Sequence, residues 1–174
     1  VDFWEFCNEA NGEWAGSISN VIAKCSGSYA LLKAAGKKTV LTLTLCTDHS
    51  ANSWDTWSQQ LPLSVRAGID YVLMSYYEQD CSNREPKSFE DMYAKMVSLY
   101  PNAKVGMGEI GYNNSHTLAQ KTQLINKYLA MKITNPKYVR FFGYWYADFQ
   151  VRGNDGDMVP KDKPLWAVYN GLLQ

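Results

Sequence analysis

The sequence predicts an α/β fold, and three observations carry that expectation. Short apolar runs of strand length alternate with longer stretches whose apolar residues recur at helical spacing. The runs are nearly continuous in apolar character, as parallel strands covered on both faces are. Five such strand–helix units share the 174 residues, about 35 each. Two architectures fit five units: a complete five-stranded doubly wound sheet, or five eighths of a (β/α)₈ barrel whose usual length is about 250 residues. Length alone favours the first.

Taken in order, the strands fall at residues 1–7, 39–46, 71–76, 104–110 and 141–146. After the first, Val21, Ile22, Cys25, Tyr29 and Leu32 share one helical stripe that Gly36 ends. After the second, Trp54 and Trp57 stand one turn apart, as a packing face does, and Pro62 interrupts the helix. Ser88 followed by Asp91 reads as a helix start ahead of Met92, Met96 and Leu99. Leu118, Thr122, Ile125 and Leu129 form the next stripe, and Leu165, Val168 and Leu172 a short last one, after a turn-rich loop at 152–164. No linker, repeat or low-complexity tract divides the chain, so one domain is expected.

Composition excludes several classes. Lys plus Arg and Asp plus Glu number 17 each, so no basic field draws in nucleic acid. The longest apolar runs, such as VLTLTL at 40–45, are too short to cross a membrane. Cys7, Cys25, Cys46 and Cys81 are widely spaced, and free or singly paired thiols are the expectation. Cys46 and Cys81 fall near neighbouring strand ends, where pairing is open. No metal-ligand cluster or phosphate-binding glycine motif follows any strand, and no cofactor or metal is expected. The acidic cluster Asp148, Asn154, Asp155 and Asp157 reads as a solvated turn, because it misses the calcium-loop pattern. Asn113-Asn114-Ser115 is a chance-grade glycosylation triplet.

In either architecture ligands bind where the strands end. Those ends carry Asn8-Glu9, Thr47-Asp48-His49, Ser75-Tyr76-Tyr77-Glu78, Glu109 and Trp145-Tyr146-Ala147-Asp148, so carboxylates and aromatics converge on one rim. Glu9 follows WEFCN, and Glu109 sits in MGEIGY between Gly108 and Gly111, where close approach is possible. Two carboxylates beside stacking aromatics suit glycosidic cleavage, in which one donates a proton to the leaving oxygen and the other attacks the anomeric carbon or activates water. Trp14 and His49 are further candidates for lining a sugar site.

These residues carry a resemblance. The W-x-x-x-N-E spacing from Trp4 to Glu9, the G-E-I-G-Y strand end at Glu109 100 residues later, the aromatic strand end at Tyr76 and Trp145 on the last strand together resemble the second half of a clan A retaining glycoside hydrolase. The resemblance spans essentially the whole chain and implies a partial (β/α)₈ TIM barrel running from barrel strand four to the last helix. It implies Glu9 as acid/base, Glu109 as nucleophile, Asn8 on the sugar 2-hydroxyl, Tyr76 orienting the nucleophile and Trp145 under the sugar. Phe6 and Trp14 would raise the Glu9 pKa, and hydrogen bonds from groups such as Tyr76 would keep Glu109 charged. Three units separate the two Glu, about 33 residues each, as a barrel repeat requires. A poly- or oligosaccharide substrate, a secreted or periplasmic bacterial setting and the missing first three barrel strands as partner follow from the same resemblance. A non-catalytic carbohydrate-binding barrel is the rival.

Overall fold

The computed structural model describes residues 1, 3–81, 84–112, 116–139 and 143–144. Strands β1 (Phe3–Cys7), β2 (Lys38–Thr44), β3 (Tyr71–Ser75), β4 (Lys104–Ile110) and the two-residue β5 (Gly143–Tyr144) form one all-parallel sheet in chain order. Helices α1 (Ile18–Ala34), α2 (Trp54–Gln60), α3 (Leu63–Gly68), α4 (Phe89–Leu99) and α5 (Leu118–Leu129) fill the connections. The expected α/β class is therefore observed, with a parallel sheet. The helix proposed over Leu165–Leu172, the acidic turn at 148–157 and the triplet at 113–115 lie outside the described residues.

Local chemistry sets the helix limits. The Ser88 hydroxyl accepts from the Asp91 N–H at 3.1 Å and opens α4. Thr117 and Gln120 form a reciprocal capping box at the start of α5. Pro62 separates α2 from α3, because a proline supplies no N–H to continue the first helix. The helices pack side by side: the Tyr100 hydroxyl after α4 donates to Ser58 of α2 at 2.7 Å, and the rings of Phe89 in α4 and Tyr128 in α5 meet edge-on at 5.9 Å.

The core lies between this layer and the sheet. Leu41, Leu43, Val72, Met74, Val105, Met107 and Ile110 from the strands are buried with Trp57, Tyr93, Met96 and Ile125 from the helices. Each large side chain so buried contributes about 1.5–3 kcal/mol. Trp57 is fully buried and Trp54 packs against the core, as the one-turn spacing of the pair suggested.

The other face of the sheet is concave. A Cβ on Gly108 of β4 would meet Leu73 Cβ of β3 at 3.0 Å and Thr42 Cγ2 of β2 at 3.2 Å. In a flat sheet, strands two apart stand about 9.5 Å from each other. Contact of that kind between β2 and β4 therefore requires the sheet to curl toward this face, and a glycine at the closest approach makes room for it.

The cysteines correct the expectation of free or singly paired thiols. Cys7 is bonded to Cys25, tying β1 to α1, and Cys46 to Cys81, tying the ends of β2 and β3. The partners are 18 and 35 residues apart in sequence, but only 6.0 and 4.7 Å apart between Cα atoms. Linear spacing hides this, because each pair joins elements that the βα repeat makes neighbours.

Candidate active cleft

The segment after β1 is held by one buried side chain. Asn11 is fully buried; its carboxamide donates to Thr44 O and Asn52 O, both at 2.8 Å, and accepts from Thr44 N–H at 2.7 Å. Asn52 returns a bond to Asn11 O at 2.9 Å. Anchored in this way, the chain passes through Glu9 at φ 44°, a left-handed conformation that side chains other than glycine rarely adopt. Glu13 then accepts from the Asp48 and His49 N–H groups at 2.8 and 2.9 Å, fixing the turn that carries Trp14 against the end of β2.

Glu109 is aimed by a bulge. Met74 pairs with Met107 but Ser75 with Glu109, so β4 carries one extra residue against β3. An extra residue offsets the alternation of side chains and re-aims those beyond it. Glu109 Oε2 accepts from the Tyr77 hydroxyl at 2.5 Å. Tyr77, not Tyr76, is therefore the tyrosine on this carboxylate. Tyr76 is a correction to the sequence reading: its ring is buried against Phe89 and Tyr128 in the core. Neighbouring residues at a strand end face opposite sides, and the sequence SYYE offers a tyrosine to each.

Glu9 and Glu109 line one open cleft of about 460 Å³ with Asn8, Trp14, Tyr77, Asp48, Asp80, Arg84 and Cys46. That volume lies within the usual range for small-molecule sites. Trp14 is 61% exposed at its edge. The walls are tied together where Arg84 Nη2 pairs with Asp48 Oδ1 at 2.8 Å.

Electrostatics act on two carboxyls at this end of the sheet. Burial lifts the Glu9 carboxyl from its ordinary range to about 7; the charge of Glu109 adds to the rise, and the hydroxyls of Ser75 and Thr44 oppose it. Glu5, within β1, is raised by burial and by Glu109, against the hydroxyl of Thr42, which donates to it. A carboxylate inside an apolar strand facing the concave side of the sheet was the signal for Glu5, and the sequence reading passed over it. Asn11 and Arg84 were likewise missed as parts of the site, and Tyr77, though placed on the rim, was not matched to Glu109; only their partners reveal these roles.

Of the residues expected at the rim, Asn8, Glu9, Trp14, Asp48, Tyr77 and Glu109 come together in the cleft. His49 is exposed and outside its lining. Trp145 lies outside the described residues. Among the described residues no group of three or more His, Cys, Asp or Glu is placed to hold a metal ion, and no helix is long and apolar enough to cross a membrane. No protein-family model matches the chain, and no curated protein matches it.

Proposed function

We propose that the chain is the catalytic part of a retaining glycoside hydrolase acting on a poly- or oligosaccharide. The observation that carries the reading is the meeting, in one cleft, of two carboxyls in unlike environments. Glu9 is lifted to about 7, so it can hold a proton at neutral pH, and Glu109 accepts from Tyr77. Glu109 attacks the anomeric carbon while Glu9 gives its proton to the departing oxygen. Glu9 then takes a proton from water, which releases the sugar from Glu109. Trp14 offers a ring face to the apolar side of a pyranose, and Asn8 a carboxamide to its hydroxyls.

The wider setting is part of the same proposal. Doubly wound sheets reverse strand order at a switch point, whereas this sheet runs sequentially and curls, which supports an arc of a (β/α)₈ barrel. Preceding strands of the same protein would then pair with the open edge of β1. Two disulfides support a secreted or periplasmic location.

The test is turnover of a panel of plant, fungal and bacterial polysaccharides, with the product anomer followed by NMR from the first minutes. Retention of configuration is expected, and Glu109→Gln should lower kcat at least about 1,000-fold. A Glu109→Gln enzyme keeping more than about a tenth of the activity overturns the nucleophile assignment. Glycan binding without turnover selects the non-catalytic carbohydrate-binding barrel.

A further inference from the structure

The cleft wall contains a covalent bond that the mechanism above does not use. Cys46 lines the cleft, and its partner Cys81 is buried directly behind Tyr77. The Tyr77 N–H donates to Cys81 Sγ at 3.2 Å, and the Cys81 N–H returns to Tyr77 O at 2.8 Å. The turn from Tyr77 to Cys81 is thus closed at both ends on the residue whose hydroxyl sits on Glu109. Beyond it, Arg84 N–H donates to Cys81 O at 2.9 Å while its guanidinium pairs with Asp48, itself held by Glu13.

We propose that the Cys46–Cys81 disulfide is a positioning element of the active cleft, and that it fixes the backbone of Tyr77 so that its hydroxyl stays on Glu109. The proposal rests on the reading of Glu109 as the reacting carboxylate. Cys7–Cys25 provides an internal comparison, because it joins β1 to α1 and neither sulfur lines the cleft. Opening Cys46–Cys81 removes the covalent tie between this turn and the segment after β2, and a displacement of about 1 Å at a catalytic group costs on the order of a hundredfold in rate. Cleavage by dithiothreitol has a simple balance. One of its thiolates attacks a cysteine sulfur, the other cysteine leaves as a thiolate and takes a proton, and the second dithiothreitol sulfur displaces the first cysteine as the reagent closes to its cyclic disulfide. Two electrons pass to the protein.

The experiment compares the wild-type chain with three variants: Cys46→Ser/Cys81→Ser, Cys7→Ser/Cys25→Ser and Tyr77→Phe. Kinetics use a polysaccharide that the wild type turns over, and a crystal structure of each variant gives the second readout. The expected result is a fall in kcat of about ten- to a hundredfold with KM within about twofold for Cys46→Ser/Cys81→Ser. Tyr77→Phe, in which the disulfide is intact, should fall similarly. Cys7→Ser/Cys25→Ser should lose thermal stability and keep its kcat. A Cys46→Ser/Cys81→Ser structure with the Tyr77 hydroxyl still on Glu109, or a kcat equal to wild type, overturns the proposal. The structural readout decides even if no polysaccharide is turned over, an outcome that would instead remove the glycosidase reading. If Cys46→Ser/Cys81→Ser does not fold, wild-type kcat in Tyr77→Phe overturns the proposal.

Discussion

A carboxyl lifted to about 7 holds its proton in roughly half the molecules at neutral pH, and this has an energetic consequence for Glu9. In the unfolded chain the same group titrates near 4.5. The folded state thus binds the proton more tightly, and Glu9 contributes stability that is present below pH 4.5 and lost as pH rises to about 7. Glu9→Gln removes the dependence. At pH 8 the variant should be more stable than wild type by on the order of 1–2 kcal/mol, after allowance for solvent screening, with the gap closing at pH 4. Urea unfolding at the two pH values measures this, and equal midpoints at pH 8 would contradict the assignment. At this scale the sequence was only partly legible. Glu9 and Glu109 stood out because acidic residues ending apolar strands are conspicuous. Tyr77 was displaced by its neighbour Tyr76, since which of two adjacent tyrosines faces the cleft depends on which face of β3 is turned to it, and a strand apolar on both faces does not mark that.

Elements were easier to read. The five strands appear close to where apolar runs placed them, and Pro62 and Ser88 act through backbone chemistry that sequence states directly. The connection after β2 became two short helices because a proline cannot extend the first. Curvature was not legible, because it depends on which side chains from different strands meet. Gly108 is where it can be tested. Gly108→Ala places a Cβ at 3.0 Å from Leu73 Cβ and 3.2 Å from Thr42 Cγ2, so the strands must spread. The expected cost is about 1–3 kcal/mol, the usual range for overpacking. Because Gly108 lies in the bulge that aims Glu109, activity should fall more steeply than stability. Thermal melts and kinetics of the same preparation separate the two effects, and an unchanged kcat would argue against the bulge as the aiming device.

For the molecule as a whole, the sheet has an open side. β1 pairs only with β2 among the described residues, and Phe3 and Trp4 are 46% and 45% exposed. An edge of unpaired backbone flanked by aromatics is a template for another strand. Residues 1–174 in isolation should therefore self-associate with rising concentration, and Trp4→Lys should reduce that association without lowering the melting temperature by more than a few degrees. Light scattering across a concentration series decides it; a wild-type chain that stays monomeric at high concentration contradicts the prediction. The helical layer and core were legible from periodicity, whereas the two disulfides emerged only once the repeat had folded and brought distant cysteines together.

The carboxamide of Asn11 bonds both the N–H and the C=O of Thr44, the pattern in which one peptide group pairs with the next strand. In effect a side chain supplies an extra rung of the ladder just past the end of β1. Thr44 should then surrender its amide proton to heavy water as slowly as residues deep in the sheet, although its partner is no strand at all. Its exchange would time the opening of the loop that carries Glu9, a clock for the cleft that runs without substrate.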